Sequence, residues 1–229
     1  LIQAFADGIE RGLKGSGVAF GKVEKFATPR RLAVRVTQVD TEQPPQEIKR
    51  LGPAIGASYD ANGQPTKAAL GFAASCGVDI RELTQADGPK GKVLAYTATR
   101  PGDRTSSLLP AIVSGALKEL PIAKRMRWGA GDAEFVRPVH WVVMLFGADV
   151  VEAEILGIAS GNSSRGHRFH APGALRISSP SDYERVLREQ GKVLVDLAER
   201  RERIRGGVEL AATAVGGTAV IGAALLDEV

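Results

Sequence analysis

Val139-His140-Trp141-Val142-Val143-Met144-Leu145-Phe146-Gly147-Ala148-Asp149-Val150-Val151-Glu152-Ala153-Glu154-Ile155-Leu156 is the stretch on which the fold turns. Its first half, Val139 to Phe146, is nearly all apolar, which predicts a strand buried on both faces. Gly147-Ala148-Asp149 then supplies turn chemistry, and Val150 to Leu156 predicts the returning strand of a hairpin at the core of the fold. Glu152 and Glu154 alternate along that strand and share one face, the wet side of the hairpin.

Working outward toward the N-terminus, a second hairpin is predicted from Val18 to Phe26 and Leu32 to Val39, two β-branched runs that flank Thr28-Pro29. Before it, Ile2, Phe5, Ile9 and Leu13 recur at helical spacing and Gly15-Ser16-Gly17 ends the helix. Pro44-Pro45 and Gly52-Pro53 punctuate what reads as an irregular stretch, and Asp60-Ala61-Asn62-Gly63 signals a turn. Thr66 is placed to cap a short helix through about Cys76, Val93 to Thr99 reads as a strand, and Ser106 to Leu120 as a helix ended by Pro121. Beyond Gly157 the composition shifts to Ser, Gly, Asn and Arg until Ala174, marking a boundary or a functional loop. Helices follow from Asp182 to Gln190 and Asp196 to Val215. The expected architecture is α+β, with antiparallel hairpins and packed helices around a mixed sheet core, divided into residues 1–157 and a second α+β segment, 158–229, that continues further.

With 229 residues and 44% apolar content the chain can bury a substantial core. A single Cys76 excludes an intramolecular disulfide framework, and no signal-peptide pattern or membrane-length apolar run is present, so a cytoplasmic location and no membrane partner are expected. Net charge is only +4, but 30 basic residues give a pI near 9.3, and their clustering matters more than their total.

Arg30 and Arg31 open the strand after Thr28-Pro29. As strand neighbours they point to opposite faces, so one can reach a ligand while the other pairs with a carboxylate. Lys124, Arg125 and Arg127 precede Trp128, combining phosphate pairing with an indole suited to stacking or cation–π contact, or else covering a core tryptophan with their aliphatic stems. Arg137 precedes Pro138, and Arg165, His167 and Arg168 stand beside Phe169 in a Gly-containing loop. These nine basic residues are the candidate RNA- or partner-binding set. The run Arg200, Arg201, Arg203 and Arg205 reads as a solvated helix face.

Catalytic signatures are missing from the sequence. No glycine-rich loop with Gly-Lys-Ser/Thr spacing occurs, and Gly15-x-Gly17 lacks the third glycine of a dinucleotide turn. His167 and His170 stand three apart, yet Cys76 and His140 do not complete a zinc set by spacing. Cys76 has no local histidine partner and reads as a small buried hydrophobe. No catalytic residue and no metal site are predicted.

Three motifs carry a resemblance: Thr28-Pro29-Arg30-Arg31-Leu32-Ala33-Val34-Arg35-Val36, the run from Lys124-Arg125-Met126-Arg127-Trp128-Gly129 to Phe135-Val136-Arg137-Pro138-Val139-His140-Trp141, and Arg165-Gly166-His167-Arg168-Phe169. Together they resemble the beta subunit of the bacterial two-subunit glycyl-tRNA synthetase, from the first helix to Leu225-Leu226-Asp227-Glu228-Val229. The initiator Met and the family's Gly-Thr-Glu-Glu-Leu-Pro segment are missing, so the resemblance implies an N-terminal piece of a larger subunit. It also implies a non-catalytic role in tRNA recognition and assembly with a catalytic alpha subunit in a tetramer of two alpha and two beta chains. ATP and Mg would be used by the alpha subunit, and this region would hold no cofactor. A stand-alone RNA-binding module and a hydrolase with an unrecognised site are the alternatives from other classes. Copurification of an alpha subunit would separate the first from the family reading, and hydrolytic activity would favour the second.

Overall fold

The computed structural model describes residues 1–60, 62–89 and 91–228, so Ala61 of the expected turn and Val229 of the last motif lie outside the described residues. The chain opens with α1 (Ile2–Gly15) and the hairpin of β1 (Val23–Thr28) and β2 (Arg31–Val36). Antiparallel pairing runs from Val23 opposite Val36 to Thr28 opposite Arg31, leaving Pro29 and Arg30 as a two-residue turn. The predicted helix and hairpin are both present, the strands shorter than their apolar runs.

Next come β3 (Gln46–Ala54), α2 (Ile55–Ser58), α3 (Lys67–Cys76), β4 (Thr84–Gly88) and β5 (Gly91–Arg100). Residues Pro44–Gly102 form a compact unit of their own: a sheet in the order β3-β5-β4, all antiparallel, with α3 packed on β3. The irregular stretch expected after Pro44-Pro45 is therefore a nine-residue strand. Its register slips between Leu51 and Ala54, which lets Gly52-Pro53 sit in a strand without a ladder hydrogen bond from the proline. Thr66 does cap α3, its side chain accepting from Ala69 N–H.

The other unit comprises Leu1–Gln43 and Asp103–Val229. Its second part begins with α4 (Thr105–Lys118) and proceeds through short strands: β6 (Met126–Arg127), β7 (Glu134–Phe135), β8 (Val142–Val143), β9 (Leu145–Phe146), β10 (Asp149–Val150), β11 (Glu154–Ile155), β12 (Ile158–Gly161), β13 (Ser163–Arg165) and β14 (Ala174–Arg176). Helices α5 (Tyr183–Glu189), α6 (Leu197–Ala214) and α7 (Ala223–Glu228) close the described chain. The 157/158 division expected from composition falls inside this unit.

Val139 to Phe146 is not one doubly buried strand. It breaks into β8, which pairs in parallel with β12, and β9, which pairs with β10 around Gly147. Only Met144 of the run is fully buried, and it packs with Val151 and Ile155 against Leu109, Val113 and Leu117 of α4. The hairpin thus exists at its tip, while the wider apolar run is spent on contacts to a helix rather than to two sheet faces. The other face of α4 meets α1: Phe5, Ile9 and Leu13 interlock with Ile112, Ala116 and Leu120. The two helices approach so closely that a Cβ on Gly12 would stand 2.5 Å from Ile112 Cγ2. A third cluster, Phe26, Leu175, Ile177, Val186, Leu187 and Val195, binds the β1–β2 hairpin to β14 and α5. Full burial of one such leucine contributes about 1.5–3 kcal/mol.

Candidate nucleic-acid interface

The β1–β2 turn, the segment around Trp141, the loop after β13 and the first turns of α6 enclose a cleft of about 910 Å³. Arg30, Arg31, Arg165, His167 and Arg168, five of the nine candidate residues, line it. Arg137 lines an adjoining cleft of about 950 Å³ that shares Arg30, Arg31, Trp141 and Arg168 with the first. Lys124, Arg125 and Arg127 belong to neither. Arg125 donates to Lys118 O at 3.0 Å, and Arg127 stands 3.4 Å from the Asp132 carboxylate within the small β6–β7 hairpin. Trp128 is half-buried.

Arg31 is the organising residue. Its Nη2 donates to Arg165 O and, at 3.1 Å, to Gly166 O, so the guanidinium fastens the turn to the loop after β13. Its Cζ lies 5.6 Å from the centre of the Trp141 ring, a cation–π distance. Its Nε is buried without a hydrogen-bond partner, an arrangement that costs about 1–3 kcal/mol. Burial pushes its pKa down, Tyr183 opposes the fall, and Arg30 adds to it. The partner expected for the inward arginine of the doublet was a carboxylate; the structure supplies backbone carbonyls and an indole. Arg30, on the turn itself, is exposed.

The loop that carries Arg165 to Phe169 is held from several sides. His167 Nδ1 accepts the backbone N–H groups of Phe169 and His170 at 3.2 Å each, which commits that nitrogen to the turn. His167 N–H donates to Gly191 O at 2.7 Å. Gly166 is required by close approach, since a Cβ there would lie 2.1 Å from Ala171 O. Arg165 and Arg168 are exposed, and Phe169 retains 80% of its accessible surface. Among the described residues no group of three His, Cys, Asp or Glu could hold a metal ion, and no helix is long and apolar enough to cross a membrane.

Two cations of the cleft were not among the expected site residues. Arg200 Nη1 donates to Ala27 O and Leu194 O, both at 2.9 Å, tying the start of α6 to the end of β1. Read from sequence it belongs to a solvated helix face; the Asp196 cap, which accepts from Glu199 N–H at 2.8 Å, sets the phase that turns it inward. Lys192 follows Gly191 with φ of 55° and offers no periodic signal. Among the described residues, no Asp or Glu lines the first cleft. The chemistry on offer is a concentration of guanidinium and ammonium groups beside aromatic faces, suited to phosphate and to stacked bases.

A family model described as "Glycyl-tRNA synthetase beta subunit" matches residues 1–229. The chain belongs to this family. Its relatives include the glycine–tRNA ligase beta subunits of Marinobacter nauticus, 50% identical over 230 residues, Stutzerimonas stutzeri, 51% over 229, and Hahella chejuensis, 46% over 229. Each match covers 100% of this chain and 33% of the relative. The chain therefore spans about a third of the length of the family members it matches, and all three motifs that carried the resemblance lie within the matched span.

Proposed function

We propose that this chain is a non-catalytic part of a glycine–tRNA ligase beta subunit, working in the cytoplasm within a heterotetramer. It contributes tRNA(Gly) binding and assembly with the alpha subunit, which performs the ATP- and Mg-dependent glycylation. The reading is supported above all by one juxtaposition: Arg30, Arg31, Arg165, His167 and Arg168, distant in sequence, line one cleft free of carboxylates among the described residues. Membership of the family across the whole chain supports the subunit role.

Arg165→Ala with Arg168→Ala in the assembled enzyme tests it against Arg125→Ala with Arg127→Ala. The first pair should weaken tRNA affinity or subunit assembly, and removal of each phosphate-binding cation should flatten the dependence of log affinity on log salt by about 0.7–0.9. The second pair, outside the cleft, should do so less. Unchanged affinity, unchanged assembly and an unchanged salt slope for the first pair would sink the reading. Glycine-dependent ATP–pyrophosphate exchange by this chain alone would overturn its non-catalytic part.

A further inference from the structure

We infer that the cleft receives a single unpaired nucleotide of an RNA chain, its phosphate on Arg31 and the neighbouring cations and its base against the aromatic side chains. This rests on the reading of the cleft as RNA-facing and says which form of RNA it takes. Two backbone carbonyls hold Arg31 Nη2 in place, and no carboxylate lines the cleft among the described residues. An anion is what this arrangement lacks.

The aromatics specify more than an anion. Trp141 lies under the Arg31 guanidinium, and Phe169 lines the cleft while keeping 80% of its surface exposed. That ring is not on a slack loop, because the 167–170 turn is pinned through His167 Nδ1 and Gly191 O. A duplex keeps its bases stacked inside and offers a cleft little beyond phosphate and sugar, whereas an unstacked base can lie on an aromatic face. A volume of about 910 Å³ is on the scale of a pocket for one small ligand. A free mononucleotide shares this chemistry, but Arg30, Arg168 and Lys192 come from three separate segments of the rim, which suits a backbone that continues past one phosphate.

The test measures binding to the full chain of a labelled single-stranded RNA of about eight nucleotides, the same strand hybridised to its complement, and AMP as competitor. The single strand should bind roughly tenfold tighter than the duplex, and Phe169→Ala should remove roughly tenfold of single-strand affinity alone. Arg168→Ala should weaken both forms and reduce their salt dependence. Equal binding of the two forms, with Phe169→Ala silent and Arg168→Ala still weakening both, would overturn the inference and leave the RNA reading standing. Failure of both RNA forms to bind would remove this inference and the RNA reading alike. Competition by AMP as effective as that of the oligonucleotide would overturn the assignment to an RNA chain.

Discussion

Arg31 and Arg35 stand four residues apart on the same strand, face the same way, and live in opposite electrostatic worlds. Arg35 Nε donates to Glu24 at 2.6 Å and its Nη2 to Glu184 at 2.9 Å, joining β1, β2 and α5, and its Cζ lies 5.0 Å from the Phe26 ring. Burial opposes its charge, yet the two carboxylates more than offset that and push its pKa up. Arg31 is desolvated as well but, among the described residues, meets carbonyls, an indole and the Tyr183 phenol, and its pKa is pushed down. One end of the hairpin has its counter-ions built in. The other has no carboxylate lining its cleft among the described residues, and it is to that end that the proposed RNA-facing role is given.

Neither arginine carries the fold, which is the task of the apolar cluster between them. Leu187 is fully buried there, so Leu187→Ala should lower stability by about 2–5 kcal/mol in denaturant titration. A midpoint equal to that of the parent would mean that the ions, not the cluster, hold the hairpin.

Tyr183 sharpens the contrast at high pH. Its side chain is partly buried beside Arg31, and this desolvation pushes its pKa up to about 12, with Arg31 opposing. A group raised in the folded state favours folding fully below its ordinary pKa of 10.0, and that contribution disappears as pH rises through the folded value. Stability on the order of 3 kcal/mol should therefore be lost on the alkaline limb. Tyr183→Phe should remove this loss together with one phenolate absorbance step centred near 12. A step near 10 instead would show that the phenol is not desolvated.

Arg35→Ala leaves Glu24 and Glu184 without their shared cation and should cost about 1–2 kcal/mol at neutral pH, with RNA affinity unchanged. Hydrogen bonds from Arg35, then Lys22, hold the Glu24 carboxyl below its ordinary value of 4.5. Its contribution is present above that value and is lost as pH falls through the lowered one. In Arg35→Ala the acid limb should accordingly flatten, and an acid limb identical to the parent's would break the structural assignment.

The smallest stability effect belongs to Arg31→Lys, which keeps the charge but loses the fork that spans Arg165 O and Gly166 O. About 1 kcal/mol of stability should go, with RNA affinity falling more than that loss accounts for. Equal affinity of the lysine variant would show that charge alone suffices.

Much of the frame was legible before any coordinates. The amphipathic first helix, the Thr28-Pro29 hairpin, the Thr66-capped helix and the helices from about 105 and 197 each rest on local periodicity or capping, which a few neighbouring residues decide. Gln46–Ala54 was missed because Pro53 and Gly52 are strand breakers unless a register slip absorbs them, and that slip depends on the partner strand. The apolar run at 139–146 misled for a related reason: hydrophobicity says that residues are buried, not against what, and here α4 takes Met144 while Trp141 goes to the cleft.

Residue order alone was enough for the residue types of the site, the turn that presents Arg30, the glycine-containing loop around His167, and membership of the glycyl-tRNA synthetase beta-subunit family. Which cations meet was left to folding in three dimensions. Packing joined the 28–31 turn to the 165–169 loop across more than a hundred residues, drew in Arg200, left Lys124, Arg125 and Arg127 aside, and, among the described residues, gave carboxylates to Arg35 but not to Arg31. Local propensities act over a few residues. Which charge faces which is set by long-range packing, and the desolvation of the Arg31 guanidinium exists only once that packing is complete.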